Sequence, residues 1–235
     1  MIPIDINAKD NALTNAKLTA LYEDNTVEFL KVWSEAFGEL PPCRMNDFGI
    51  IDIHRYNTAN GILFIGRETN GWSDEDYKSG CLFRNWMRDI SQNGLEDRGH
   101  IKKHPNMWYN IGRWVMLLTE PGRPITDIAD AKEEAISAIG NIAFTNVNKV
   151  RGKNTSRKEY YQLAQDPFVK SLLQKEIEII KPKIIVACGT ARPMFPLPES
   201  FSGELYIMPH PGARKNKTDM LVELNKQIRS QRRGK

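Results

Sequence analysis

Three short polar segments of this chain carry residues able to do chemistry, and each follows an apolar run of strand length. Gly66-Arg67-Glu68-Thr69-Asn70-Gly71-Trp72 follows Ile62 to Ile65, Thr145-Asn146-Val147-Asn148-Lys149 follows Ile142 to Phe144, and Pro209-His210-Pro211-Gly212 follows Leu205 to Met208. An acid, an amide and an imidazole therefore stand in that order at three strand ends. Ligands of open α/β sheets bind at the carboxyl ends of the strands, so the three segments are expected to face a common cleft. A carboxylate there can orient or deprotonate water, an amide offers one donor and one acceptor, and an imidazole can donate to a developing anion. Each residue also has an ordinary reading: Glu68 as a helix cap or partner of Arg67, Asn146 as a turn residue, His210 as a satisfied loop histidine between prolines.

The elements that must position these residues alternate along the chain. Leu18, Leu21, Tyr22, Phe29, Leu30, Trp33 and Phe37 recur at helical spacing before Gly38 and Pro41-Pro42, which predicts an amphipathic helix or helix pair. Ile62 to Ile65 reads as a strand buried on both faces. Leu82, Phe83, Trp86, Met87 and Ile90 outline a helix, Trp108 to Leu118 another, and Ala131 to Ile139 a third opened by Asp127 or Asp130. A strand over Asn141 to Val147, a helix ending at Lys181-Pro182, strands at Ile184 to Cys188 and Glu204 to Met208, and a terminal helix through Leu221, Leu224 and Ile228 complete the series. Strands separated by helix-sized segments imply right-handed crossovers and a mainly parallel sheet covered on both faces.

The chain has 235 residues, 40% of them hydrophobic, enough for one sizeable core and a single domain over 1–235 with a helical N-terminal part at 1–60. Cys43, Cys81 and Cys188 are odd in number, far apart and without a CxxC pair, so neither a disulfide framework nor a zinc ribbon is expected, and a reducing cytoplasm fits best. Met1 to Asp10 is acidic without an apolar core, and no run has the length of a membrane span. His100 and His104 have the spacing of a helical metal pair, but Gly99 and Pro105 flank them and no glutamate follows His100, so no metal site is expected. Asp52 and His54 alternate as on a strand and are expected to have a structural or surface role.

The net charge of +4 is mild, but its distribution carries more. Lys149, Arg151, Lys153, Arg157 and Lys158 follow the asparagine segment, and Arg214, Lys215 and Lys217 follow the histidine segment. Basic clusters beyond two candidate site loops would suit phosphate contacts, or simply form a solvated surface.

The order of these motifs resembles the uracil-DNA glycosylase superfamily. Gly66 and Glu68 match a first motif whose glycine follows a buried strand and whose acid handles water, although Thr69 stands where proline is usual. Gly80-Cys81-Leu82-Phe83 resembles the segment whose ring stacks on the extruded base. Thr145-Asn146-Val147-Asn148-Lys149 and Lys183 to Thr190 resemble segments of the thermostable iron-sulfur branch, and His210-Pro211 the final motif, with Gly212 in place of a common serine. The branch's cluster cysteines are missing, so no cluster is expected. The match runs from about Gly61 to Arg214, with a region at 90–132 that has no counterpart in compact members and is expected to be an insertion.

The resemblance implies a three-layer α/β/α fold around a four-stranded, mainly parallel sheet. It implies a monomeric hydrolase that removes uracil or another deaminated or damaged base from single- or double-stranded DNA without metal or organic cofactor. Glu68 and His210 would be catalytic, Gly66, Phe83 and Asn146 would bind the base, and Lys149, Arg151, Arg214 and Lys215 would hold the backbone, with Arg214 the nominee for wedging into the gap. The alternatives are a catalytically silent nucleic-acid or nucleotide-binding module of the same fold, or an enzyme acting on a free nucleoside or RNA base.

Overall fold

The computed structural model of the chain describes residues 6–40, 44–56, 61–67, 83–95, 105–150, 157–189 and 197–233. The N-terminal periodicity forms one 32-residue helix, α1 (Ile6–Phe37), which ends as the Gly38 N–H donates to Ser34 O. It is followed by β1 (Gly49–Ile50), β2 (Ile62–Gly66), α2 (Phe83–Asn93), α3 (Pro105–Thr119), α4 (Ile125–Asp130), α5 (Lys132–Ala138) and β3 (Ile142–Asn146). Then come α6 (Arg157–Gln165), α7 (Pro167–Ile180), β4 (Ile184–Cys188), β5 (Glu204–Met208) and α8 (Lys217–Arg233).

The strands form one sheet in the order β1-β3-β2-β4-β5. β3, β2, β4 and β5 are mutually parallel, as crossover helices require, while β1 runs antiparallel to β3. The sheet therefore has five strands, where four were expected. The addition is two residues long, too short for any hydropathy period to mark it. Every residue of β2, β3 and β4 is buried, which explains why their sequences read as continuous apolar runs rather than alternating ones.

Helices cover both faces, and the register separates them. Phe64 and Phe144 are paired neighbours on one face. Phe64 stacks on Trp114 of α3 at 6.4 Å, and Phe144 lies 5.5 Å from Phe83 of α2. On the other face Thr145 donates to Glu176 of α7, and α7 and α6 pack on α1. Much of the segment at 90–132, which has no counterpart in the resemblance, is thus core: Ile111, Trp114, Val115 and Leu118 of α3 are buried.

Local differences from the sequence reading have identifiable causes. Asp127 lies within the first turn of α4 and Asp130 at its end, so neither opens α5, whose cap residue is Ala131. Asp52 and His54 lie in the turn after β1, where Asp52 Oδ1 accepts the His54 N–H at 2.9 Å. By contrast α7 has clear local signals at both ends: Asp166 accepts from the N–H groups of Phe168 and Val169, and Lys181 closes the helix in a left-handed conformation before Pro182.

Both sheet edges are met by side-chain amides. Asn15 of α1 accepts the Ile50 N–H and donates to Ile50 O, each at 2.9 Å. At the far edge Gln227 of α8 accepts from Ile207 N at 3.0 Å and donates to Ile207 O at 2.9 Å, while Gln231 donates to Leu205 O. The helices thereby satisfy edge backbone groups that a further strand would otherwise pair. Among the described residues no helix is long and apolar enough to cross a membrane.

Candidate functional site

Parallel pairing brings the ends of β2 and β3 level, with Gly66 opposite Asn146. The Asn146 side chain leans across its neighbour: a Cβ placed on Gly66 would lie 2.3 Å from Asn146 Oδ1 and 3.3 Å from Phe144 Cζ. Any side chain at 66 would have to displace the Asn146 carboxamide. The chain beyond β3 is then sewn to the exit of β2, as Val147 N–H donates to Gly66 O at 3.0 Å and Asn148 N–H to Arg67 O at 2.8 Å. Asn148 Oδ1 turns the chain by accepting Val150 N–H at 3.1 Å, and Lys149 O accepts Asn46 N–H at 2.8 Å. Asn146 is 2% exposed.

His210 reaches the same edge from β5. Gly189, at the exit of β4, has φ 65°, and a Cβ there would lie 2.8 Å from His210 Cβ and 3.0 Å from its Cα. A side chain at 189 would therefore be strained and would also push the histidine away. The Gly212 N–H donates to His210 Nδ1 at 3.0 Å. An accepting Nδ1 leaves the proton of the neutral ring on Nε2, so this imidazole presents a donor. Burial, followed by the nearby charge of Arg67, lowers the His210 pKa below its ordinary 6.5.

The sign of that shift makes a prediction. Protonation needs more acid than usual, so at pH 6.5, where an ordinary imidazole is half charged, His210 remains mainly neutral with Nδ1 as acceptor. Nitrogen NMR of the ring should show a protonated Nε2 and unprotonated Nδ1 at that pH. A half-protonated ring would contradict the arrangement.

Asn110 is a contributor that motif reading missed. From α3 its buried Nδ2 donates to Pro211 O at 2.7 Å, while Oδ1 accepts from Arg113 at 3.2 Å. This ties the loop after His210 to a core helix. The only sequence signal was a polar position amid the apolar stripe of Trp108, Ile111, Trp114 and Val115.

Phe83 begins α2, where its N–H and the Arg84 guanidinium both bind Asp47. Its ring meets Phe48 at 5.0 Å, Phe144 at 5.5 Å and Trp86 at 5.7 Å. At 2% exposure it is part of an aromatic cluster, on the sheet face shared by Phe144 and Asn146. Arg67 sits with its guanidinium 4.4 Å from the Tyr160 ring centre. Arg214 and Lys215 are exposed just past the histidine loop, Lys215 within 3.7 Å of Glu223.

Lys149 corrects the sequence reading. It was expected to touch phosphate, but its side chain is 0% exposed and its Nζ donates to Glu176 Oε2 at 2.7 Å and to Thr145 Oγ1 at 2.8 Å. The Thr145 hydroxyl donates to the same carboxylate oxygen at 2.8 Å. Buried and hydrogen-bonded twice inside the protein, the ammonium does not present itself to a phosphate. Burial lowers its pKa, opposed by Glu176. Composition made the lysine look like part of a surface cluster because sequence proximity to Arg151 and Lys153 does not reveal which way a side chain points.

Glu68 and Arg151 lie outside the described residues, as do Thr69 to Leu82 and the His100 and His104 pair. A cavity of about 690 Å³ opens at the opposite, amino-terminal edge of the sheet, bordered by Lys181, Lys183, Phe201, Glu204 and Arg232. Its lining includes none of the candidate catalytic, base-binding or backbone-binding residues. Comparison of the chain with protein-family models, curated proteins and solved structures found no match.

Proposed function

We propose that the protein hydrolyses the N-glycosidic bond of a deaminated or damaged base in DNA, as the resemblance to uracil-DNA glycosylases suggests. The observation that carries this reading is the placement of an asparagine amide and a neutral, donating histidine at one sheet edge, on either side of the exit of β2. β3, which ends in Asn146, and β4, whose end supports His210, flank β2. Strand spacing separates their exits by roughly 10 Å.

A base inside a duplex must be extruded before such groups can reach it, at a cost of roughly a few kcal/mol. The Asn146 carboxamide complements the N3–H donor and O4 acceptor of uracil and mismatches cytosine, whose pairing groups are reversed. The wrong base leaves buried polar groups unpaired at about 1–3 kcal/mol each. Phe83 is the residue proposed to stack on the base; it is 2% exposed within the cluster of Phe48, Phe144 and Trp86, so a neighbouring ring would have to move for the base to reach it.

Breaking the bond between C1′ and N1 leaves its electron pair on the base and positive charge on the sugar. The His210 Nε2–H would stabilise the anion at uracil O2. Water then bonds to C1′ and gives up a proton, and the departing base gains one. Glu68, two residues beyond Gly66, is the proposed group that orients that water and faces the charged sugar. Arg214 and Lys215 would meet the backbone.

The test is a gel assay of base release from single- and double-stranded oligonucleotides carrying uracil, hypoxanthine or a mismatch, together with DNA affinity over a salt series. Release of one of these bases is expected, with affinity falling as salt rises because phosphate contacts release counterions. Salt-dependent binding without release would replace the enzyme with a silent binding module. Absence of binding to any nucleic acid would point to a nucleotide-sized ligand.

A further inference from the structure

The Lys149 and Glu176 pair has no part in the reaction just described, yet it lies directly behind the residue that would read the base. Thr145 and Lys149 bracket Asn146, and both side chains converge on one oxygen of Glu176 from α7. Lys149 Nζ also lies 5.6 Å from the centre of the Phe48 ring, and Phe48 packs on Phe83. Tyr22 of α1 is buried beside the same carboxylate, and its hydroxyl pKa is raised by burial and by the Glu176 charge.

Sealing an ammonium and a carboxylate away from water is costly, and a pair of well-packed apolar residues often stabilises a fold equally well. Stability is therefore a weak reason for the pair. Geometry offers another. An ammonium donating to two fixed oxygens fixes the chain from 145 to 149 from within, while the backbone bonds to Gly66, Arg67 and Asn46 fix it from outside. Asn146 lies within that doubly anchored stretch, next to Thr145. Its amide must be held to within roughly 0.5 Å to tell one pairing edge from its reverse.

We infer that Lys149 and Glu176 are positioning residues, whose ion pair beneath the 145–149 turn holds the Asn146 carboxamide in a single base-reading orientation. The inference rests on the function proposed above for what Asn146 reads, though not for whether Asn146 is held. It gives this lysine a role in specificity without contact with nucleic acid.

The test compares wild type with Lys149→Met, Glu176→Gln and the double variant Lys149→Met/Glu176→Leu, which removes both charges together and keeps the interior filled. Two measurements are made. The first is the NMR signal of the Asn146 side-chain amide in the ligand-free protein, expected as one sharp, slowly exchanging pair in wild type and as a broadened or multiple set in the folded double variant. The second is single-turnover release of uracil against cytosine, expected to lose about tenfold or more in discrimination, with Glu176→Gln intermediate because it can still accept from Thr145. DNA affinity and its salt slope should stay at wild-type values.

An unchanged Asn146 signal in the folded double variant overturns the inference, as does unchanged discrimination. A reduced salt slope in Lys149→Met also overturns it, by showing that the lysine reaches phosphate. If wild type releases no base, the proposed function fails, and the Asn146 signal alone then decides whether the pair positions the amide.

Discussion

Replacing His210 with alanine is expected to slow base release by on the order of a hundred- to a thousandfold, the usual consequence of removing one donor that faces developing negative charge. DNA affinity should stay within about twofold, because the charge on the base exists only in the transition state. The expectation rests on two contacts. Gly212 N–H occupies Nδ1 at 3.0 Å, which leaves the neutral ring's proton on Nε2 as a donor, and Gly189 gives the ring's backbone its place at the exit of β4. The rate of His210→Ala under single-turnover conditions decides the matter. A variant within a few-fold of wild type would remove the histidine from the chemistry and leave the sheet edge as a binding surface.

The second large effect concerns stability. Lys149→Met should destabilise the fold by about 3–5 kcal/mol, since it leaves the Glu176 carboxylate buried without its countercharge. Glu176→Leu should cost a similar amount by stranding the ammonium, whose pKa burial already lowers. The two losses should not add: the double variant is expected near wild type, with a coupling of several kcal/mol in a double-mutant cycle. Urea unfolding of the four proteins measures this directly. Additive losses, or a single lysine variant as stable as wild type, would mean that Nζ and Oε2 do not depend on each other as their 2.7 Å separation implies.

The sequence made the four parallel strands and most helices legible because β2, β3 and β4 are buried on both faces and α7 carries explicit stop and start residues. It did not disclose β1, two residues long, or α6, whose sequence RKEYYQLAQ has few apolar positions to reveal a stripe. The motif reading placed Gly66, Asn146 and His210 at strand ends, and the sheet brings all three to its carboxyl edge. It could not distinguish Lys149 from the basic residues after it. The turn made by Asn148 folds this one side chain under the sheet end, a direction set by tertiary hydrogen bonds rather than by local composition. Asn110 was invisible for a related reason, since its partner Pro211 is 101 residues away.

The amides of Asn15 and Gln227 carry a consequence for how this molecule can meet others. An open sheet normally ends in two ribbons of hungry backbone, each a template on which another polypeptide can crystallise as an extra strand. Here each end is met by a carboxamide that copies the donor and acceptor pattern of a peptide group. A passing chain would have to evict that mimic, and the helix carrying it, before zippering on. Lateral growth into fibrils, or recruitment of a partner by strand addition, is thereby discouraged at both borders. The protection is lateral only, and the carboxyl ends of the strands, where Asn146 and the His210 loop stand, lie outside it.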